Sequence, residues 1–251
     1  MNVTDYLKRI NYTGPLSVDA ETLRQLQVAH LRSVPFENLS IHAGEPIVLN
    51  TGALFTKIVT KRRGGFCYEL NGMFAWLLRS LGFEVAMIAA GVAKDGGGFG
   101  PDFDHMALRV SLAERWLVDV GFGDSFLEPL LLDERIDQRQ GDQSFRIVQD
   151  DSHLILLRRN RDEEWQPQYR FTLQAYNYDD YEEMCRYHQT SPESHFTKSS
   201  ICSRATPDGR ITLSAMRLIT TSNQERYERT LTDDEYLDVL KDQFGIVMNR
   251  G

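Results

Sequence analysis

Three residues of this sequence have the types that nucleophilic catalysis needs: Cys67, His105 and Asp119. A thiolate attacks carbonyl carbon, an imidazole accepts the thiol proton, and a carboxylate holds that imidazole in one tautomer. We interpret Cys67 as the nucleophile, His105 as its base and Asp119 as the orienting carboxylate. We also expect the thiolate-imidazolium pair to be the resting state of the site.

The cysteine follows a glycine pair, in the segment Arg-Gly-Gly-Phe-Cys-Tyr-Glu-Leu-Asn. Gly64 and Gly65 allow a sharp turn into a following helix, which would place Cys67 at or near the helix N-terminus. Unpaired N-H groups and the helix dipole stabilise a thiolate at that position. The backbone N-H of Tyr68 would lie beside the sulfur, where it can help to hold a developing oxyanion.

His105 and Asp119 lie on two short runs, 104–110 and 116–120, in which apolar residues alternate with others. A hairpin closed by a three-residue loop buries the large apolar residues together, whereas a slip of one position scatters them over both faces. The facing pairs are then Val110 with Trp116, Leu108 with Val118, and Met106 with Val120. In this register His105 and Asp119 are diagonal neighbours, roughly 7 to 8 Å apart at the backbone and within reach of a hydrogen bond.

The elements around these residues fall into two regions. Apolar residues recur at helical spacing in three places: from 17 to 34, after Thr51 as an N-cap, and after the glycine pair. This pattern predicts a small helical bundle over residues 1–84. Six short β-rich runs between 85 and 173 predict an antiparallel barrel or sandwich, and we assign it residues 85–175.

The last third of the chain is mixed. Residues 176–195 are expected to form a helical connector, and the remaining 196–251 form a separate unit. In that unit, residues 209–218 read as strands, and Thr232 begins a capping box for an amphipathic helix that ends at Gly245.

Composition excludes several classes of function. The chain has 251 residues, 41% of them hydrophobic, and a net charge of -8, which argues against nucleic-acid partners and anionic membrane surfaces. It lacks a signal peptide and any run near the roughly 20 apolar residues of a membrane helix, so we expect a cytoplasmic protein. Three cysteines without a C-x-x-C pair fit neither a disulfide framework nor a thiolate zinc site.

The other polar residues of interest have ordinary explanations. Cys185 and Cys202 are expected to be structural, and no metal site is predicted because the remaining histidines lack ligand spacing. These histidines, which we expect to be structural or on the surface, are His30, His42, His153, His188 and His195. The glycine-rich loop 94–100 is either a flexible hairpin or a loop that lets coenzyme phosphates approach.

Four motifs carry a family resemblance, in the right order and over nearly the whole chain. They are Val-Pro-Phe-Glu-Asn-Leu at 34–39, the cysteine segment, Asp-His-Met-Ala-Leu at 104–108 and Leu-Val-Asp-Val-Gly-Phe-Gly-Asp at 117–124. Together they resemble the arylamine N-acetyltransferases.

The resemblance implies an α+β fold with a cysteine-protease-like catalytic core: a helical bundle, a central antiparallel β-barrel and a C-terminal α/β lid. It implies ping-pong transfer from acetyl-CoA, through an acetyl-cysteine, to arylamines, arylhydrazines or N-hydroxyarylamines. It also implies that Glu37 and Arg63 form a structural ion pair. The residues expected in the acceptor cleft are Phe36, Tyr68, Phe122, Gly123 and Phe196. The coenzyme-binding residues stay open, because the chain stops at Gly251 without the longer tail of many relatives.

Three other functions remain open at this point. A Cys-His-Asp triad also serves hydrolases such as cysteine peptidases and transglutaminase-like enzymes. An amide synthase would use the same triad with a larger, carrier-bound acyl donor and would differ in the size of its cleft. A binding module that has kept the scaffold would not need the triad at all.

Overall fold

The computed structural model describes residues 1–161, 163–223 and 225–248, and it confirms the expected α+β class. The helices are α1 (Val3–Arg9), α2 (Ala20–Ser33), α3 (Leu39–His42), α4 (Thr51–Phe55), α5 (Cys67–Ser80), α6 (Glu182–Thr190), α7 (His195–Lys198) and α8 (Asp233–Phe244). The strands are β1 (Phe36–Glu37), β2 (Glu84–Val92), β3 (His105–Ser111), β4 (Arg115–Val118), β5 (Leu130–Leu131), β6 (Gln138–Gln140), β7 (Gln143–Asp150), β8 (His153–Asn160), β9 (Gln166–Phe171), β10 (Ile201–Thr206), β11 (Gly209–Ser214), β12 (Arg217–Ser222) and β13 (Glu225–Thr230). A π-helical turn (Thr56–Thr60) continues α4, and a 3-10 turn (Tyr178–Tyr181) leads into α6.

The N-terminal helices form where apolar periodicity predicts them. Helix α2 buries Leu23 and Leu26 on its inner face, as expected. The next predicted helix also forms, but its N-cap is Asn50 and not Thr51, because the Asn50 side chain accepts the Ala53 amide at 3.0 Å. Both residue types are good caps, so the sequence alone could not choose between two neighbouring acceptors.

Helix α5 begins at Cys67, as the glycine pair predicts. Its N-cap is Phe66, whose amide donates to the carboxylate of Glu69 at 3.1 Å. The glycines are needed for space and not for a positive φ: a Cβ on Gly64 would lie 1.9 Å from the carbonyl oxygen of Pro35. Close approach of two backbone segments therefore fixes where the helix starts.

The central sheet has eight antiparallel strands in the order β5-β4-β3-β2-β9-β8-β7-β6. Its two edge strands come together through glutamine side chains in place of a backbone ladder. Gln138 accepts the Leu131 amide at 2.7 Å and donates to the Leu131 carbonyl at 2.9 Å, while Gln140 donates to the Glu128 carbonyl at 2.7 Å. A primary amide carries one donor and one acceptor side like a peptide group, so these contacts nearly close the sheet into a barrel.

The predicted register of the β3-β4 hairpin is confirmed for two of its three pairs, Val110 with Trp116 and Leu108 with Val118. The third pair, Met106 with Val120, is wrong because β4 ends at Val118 and the chain then leaves the sheet. Both faces of the hairpin are buried. One packs against the helices, and the other, which includes Leu117, lies inside the barrel.

A second sheet has five antiparallel strands in the order β1-β10-β11-β12-β13. Strand β1 comes from the N-terminal part, so Phe36 pairs with Ser203 far along the chain. The sequence indicated β11 and the start of β12 but not β10 or β13. Helix α8 begins and ends as predicted, with Thr232 as the N-cap and Gly245 in the left-handed conformation at φ 69°.

No helix within the described ranges is long and apolar enough to cross a membrane. The division of the chain at residues 84, 175 and 195 stays a prediction.

We predict that Gly64→Ala lowers the free energy of unfolding by about 2 kcal/mol, since the new methyl group must displace the Pro35 backbone. Urea denaturation followed by circular dichroism measures this. Gly96→Ala is the matched control, because a Cβ there meets no atom within 4 Å, and its effect should stay within about 0.5 kcal/mol. Equal stabilities for the two variants would contradict the steric argument.

Candidate active site

Cys67 lines a cavity of about 370 Å³ between the helical part, the barrel and the second sheet. Cys67 is the first residue of α5 and His105 the first residue of β3, and both line this cavity. Both are only 3% exposed. The structure thus brings a cysteine and a histidine from two different elements to one cavity.

The carboxylate of Asp119 orients the ring of His105. His105 Nε2 donates to Asp119 Oδ2 at 2.7 Å, and both side chains are buried. Because a carboxylate only accepts, this contact fixes the His105 proton on Nε2 and leaves Nδ1 as a proton acceptor. The predicted imidazole-carboxylate contact is therefore present, although Asp119 reaches it from the turn after β4 and not from the strand.

Both carboxylate oxygens of Asp119 accept more than one hydrogen bond. Oδ2 also accepts the hydroxyl of Tyr169 at 3.2 Å. Oδ1 accepts the side-chain amide of Asn71 at 2.9 Å and the backbone amide of Gly121 at 2.8 Å. Four donors thus compensate a carboxylate that would otherwise be costly to bury.

Sequence reasoning missed the role of Asn71, which connects α5 to strand β3 and to the turn after β4. Its Nδ2 donates to the Met106 carbonyl at 2.6 Å as well as to Asp119, and its Oδ1 accepts the Val120 amide at 2.9 Å. Asn71 lies four residues after Cys67, on the same face of the helix. That spacing is the signal that could have found it.

Gly121 allows the turn after β4 to lie directly against Cys67. A Cβ at Gly121 would be 2.7 Å from the Cα of Cys67 and 2.7 Å from Nδ2 of Asn71. Any side chain here would push the Asp119 turn away from the helix N-terminus.

The electrostatics of the thiol differ from our expectation. Burial raises the pKa of Cys67 well above its ordinary value, and the carboxylates of Asp119 and Asp104 add to the rise, while a hydrogen bond from the Met106 backbone opposes it. The helix N-terminus therefore does not keep the sulfur ionised by itself. A thiolate at this depth requires a compensating positive charge, so the expected resting ion pair depends on transfer of the proton to His105.

The expected aromatic walls are present in part. Phe36, Phe122 and Phe196 line the cavity, and the rings of Phe36 and Phe196 lie 6.2 Å apart. Gly123 lies beside the Phe36 ring, where a Cβ would come within 3.4 Å of it, and its φ of +91° favours glycine. Tyr68 is fully buried and does not line the cavity, and its hydroxyl donates to the Phe103 carbonyl at 2.7 Å.

Two ionisable residues that the sequence did not indicate for the site also line the cavity, Asp104 and His195. Asp104 precedes His105 directly, and its Oδ1 lies 3.2 Å from Nε2 of His188. His188 is buried, and its Nδ1 lies 3.1 Å from the hydroxyl of Ser194, the N-cap of α7. His188 is thus a structural residue as expected, whereas His195 is part of the cavity wall.

The remaining expectations concern residues away from the cavity. Arg63 donates to both carboxylate oxygens of Glu37, at 3.0 and 3.2 Å, which agrees with the expected structural ion pair. Cys185 and Cys202 are buried free thiols. Within the described residues, no group of three or more His, Cys, Asp or Glu side chains is arranged to hold a metal ion.

Comparison with known proteins defines the class. A family model described as N-acetyltransferase matches residues 19–251. The chain is 34% identical to arylamine N-acetyltransferase, pineal gland isozyme NAT-3, of Gallus gallus, over all of this chain and 96% of that protein. It is also 34% identical to proansamycin X synthase of Amycolatopsis mediterranei (strain S699), over 94% of each chain.

The fold agrees with a solved structure of the same class. The arylamine N-acetyltransferase of Mycobacterium marinum in complex with CoA is 31% identical and superposes with a TM-score of 0.90, over 98% of this chain and 93% of that one. The protein is therefore an acyltransferase. It belongs to the arylamine N-acetyltransferase family.

We predict that alkylation of Cys67 by iodoacetamide moves to higher pH in His105→Asn. Burial disfavours a lone thiolate, so without the imidazole the thiol must ionise at its raised pKa. Below that pKa the variant should react at least tenfold more slowly than the unmodified chain. The measurement is the alkylation rate against pH by mass spectrometry, with Cys67→Ala to subtract labelling of Cys185 and Cys202. Overlapping profiles would show that His105 does not take the proton.

We also predict that Asn71→Ala lowers the free energy of unfolding by about 3 kcal/mol, because the buried Met106 carbonyl and Val120 amide each lose this side-chain partner and Asp119 loses one of its four donors. Tyr169→Phe removes a single hydrogen bond and should cost about 1 kcal/mol. Urea denaturation of both variants tests the ranking, and the reverse order would refute the central position of Asn71.

Proposed function

We propose that this chain transfers the acetyl group of acetyl-CoA to the nitrogen of arylamines or arylhydrazines, and to the oxygen of N-hydroxyarylamines. The observation that carries the proposal is the buried hydrogen bond between His105 and Asp119 at a cavity that also contains Cys67. Family membership supports the acetyl donor, since a related structure holds CoA. The aromatic lining supports a flat aromatic acceptor.

The first half-reaction acetylates the cysteine. His105 Nδ1 takes the Cys67 proton as the sulfur attacks the thioester carbonyl carbon. The tetrahedral oxyanion that forms accepts a hydrogen bond from the backbone N-H of Tyr68. Collapse of this intermediate breaks the bond to the coenzyme sulfur. The proton on His105 leaves with that sulfur, so free CoA departs and acetyl-Cys67 remains.

The second half-reaction transfers the acetyl group to the acceptor. The amine nitrogen attacks the acetyl carbonyl carbon while His105 Nδ1 removes one of its protons, and the Cys67 sulfur leaves. His105 then gives this proton to the departing Cys67 thiolate, which restores the thiol. Asp119 holds the ring in one orientation and stabilises its charged form in both halves.

The cavity favours acetyl transfer to an amine over the two rival acyl reactions. A largely apolar lining disfavours water, which a hydrolase must admit to the acyl-enzyme. A volume of about 370 Å³ fits a small aromatic acceptor, near the lower end of the range for ligand pockets. An amide synthase remains the second candidate, because a relative of equal identity is proansamycin X synthase.

Intact mass spectrometry after exposure to acetyl-CoA should show an adduct of about 42 Da, the mass of one acetyl group, on Cys67. An arylamine such as 4-methoxyaniline should discharge the adduct and appear as its amide. Cys67→Ala should form neither the adduct nor the product.

The same measurement separates the rivals. Loss of the adduct at the same rate with and without amine would indicate a hydrolase. Absence of any adduct from acetyl-CoA would leave a larger acyl donor as the alternative, and product formation by Cys67→Ala would reject the nucleophile.

A further inference from the structure

The acceptor cavity carries a carboxylate that the proposed chemistry does not use. Among the described residues that line it, Asp104 is the one acidic side chain, and none is Lys or Arg. The remaining lining is aromatic, aliphatic, glycine or serine, apart from the catalytic pair and His195. Any molecule that reaches Cys67 must therefore occupy a space that contains one carboxylate and few groups to screen it.

The local contacts keep Asp104 charged. Burial acts to raise its pKa, but the ring of His188 and the amide of Val92 more than offset this, so the pKa of the carboxyl lies below its ordinary value. Its side chain is 18% exposed, and Oδ2 accepts the Val92 amide at 3.3 Å. The carboxylate is thus anchored at the wall and is shielded from bulk water on most of its surface.

The ring of His188 lies beside Asp104 without a well-directed hydrogen bond to it. His188 Nε2 is 3.2 Å from Asp104 Oδ1 but lacks a hydrogen-bond partner among the described residues, whereas His188 Nδ1 lies 3.1 Å from the hydroxyl of Ser194. The directed hydrogen bond that anchors the carboxylate is therefore the one from the Val92 amide. His195, which lines the same cavity, has its pKa lowered by burial and by the nearby His188.

We propose that Asp104 is a specificity-determining residue that excludes acceptors with an anionic substituent and so restricts the enzyme to neutral or cationic arylamines and arylhydrazines. An acceptor carboxylate would share a cavity of about 370 Å³ with the carboxylate of Asp104. Repulsion between like charges in such a space changes binding by roughly tenfold or more. This inference rests on the proposed function, because it names the class of acceptor for the same site.

The test compares two ligands of one shape. 4-Nitroaniline and 4-aminobenzoate have isosteric para substituents, of which only the carboxylate is charged. Each is measured by the concentration that protects Cys67 from iodoacetamide, which reports occupancy of the cavity without requiring acetyl transfer. In the unmodified full chain, 4-nitroaniline should protect at a concentration at least tenfold lower than 4-aminobenzoate.

Neutral variants then assign the preference to Asp104. Asp104→Asn should reduce the ratio between the two ligands by about tenfold, since the repulsion is removed and both shapes are unchanged. Asp104→Ser is a second neutral variant, in case the amide disturbs the contact with His188. Asp102→Asn is the control. It removes an exposed carboxylate two residues away that does not line this cavity, and it should retain the ratio between the two ligands.

Equal protection by the two ligands in the unmodified chain would overturn the proposal. A ratio that stays within threefold of the original in both Asp104 variants would overturn it too, as would an equal change in Asp102→Asn. Acetylation of 4-methoxyaniline is measured in parallel. If 4-methoxyaniline is not acetylated but the two ligands protect Cys67 as expected, the acetyltransferase is refuted and the charge selection stands. If 4-methoxyaniline is acetylated but the ratio between the two ligands does not change in the Asp104 variants, only the inference is refuted.

Discussion

Burial of the Asp119 carboxylate is the constraint on which the rest of the site depends. A charge at that depth is tolerated only when hydrogen-bond donors surround it, and here the donors come from β3, β9, α5 and the turn after β4. Satisfying one carboxylate therefore locks four separate segments into a single arrangement. The orientation of the His105 ring is a consequence of that arrangement.

Cys67, the proposed nucleophile, is subject to two opposing effects. Its position at the first residue of α5 offers backbone donors to a developing negative charge, while burial penalises that charge. The balance makes ionisation of Cys67 conditional on a neighbouring base. Under the proposed mechanism this buried thiol reacts when proton transfer to His105 accompanies attack.

Sequence patterns predicted the parts of the fold that depend on local interactions. Apolar periodicity located α2 and α5, a capping box located α8, and the glycine pair placed Cys67 at a helix start. The register of the β3-β4 hairpin also followed, because a slip by one residue would scatter its large apolar side chains over both faces. The same reasoning extended β4 too far. Asp119 and Val120 leave the sheet, and their backbone amides donate to the side chains of Gln27 and Asn71 on distant helices.

By itself the sequence determined the chemical types of the site, their order and the helix and strands that carry them, because caps, turns and periodicity act within a few residues. Only the tertiary structure decided whether each side chain faces the cavity or is buried away from it. Tyr68 follows Cys67 directly yet is buried behind the cavity, whereas Asp104 and His195 face into it. Such outcomes depend on packing between segments far apart in the chain, which no local pattern encodes.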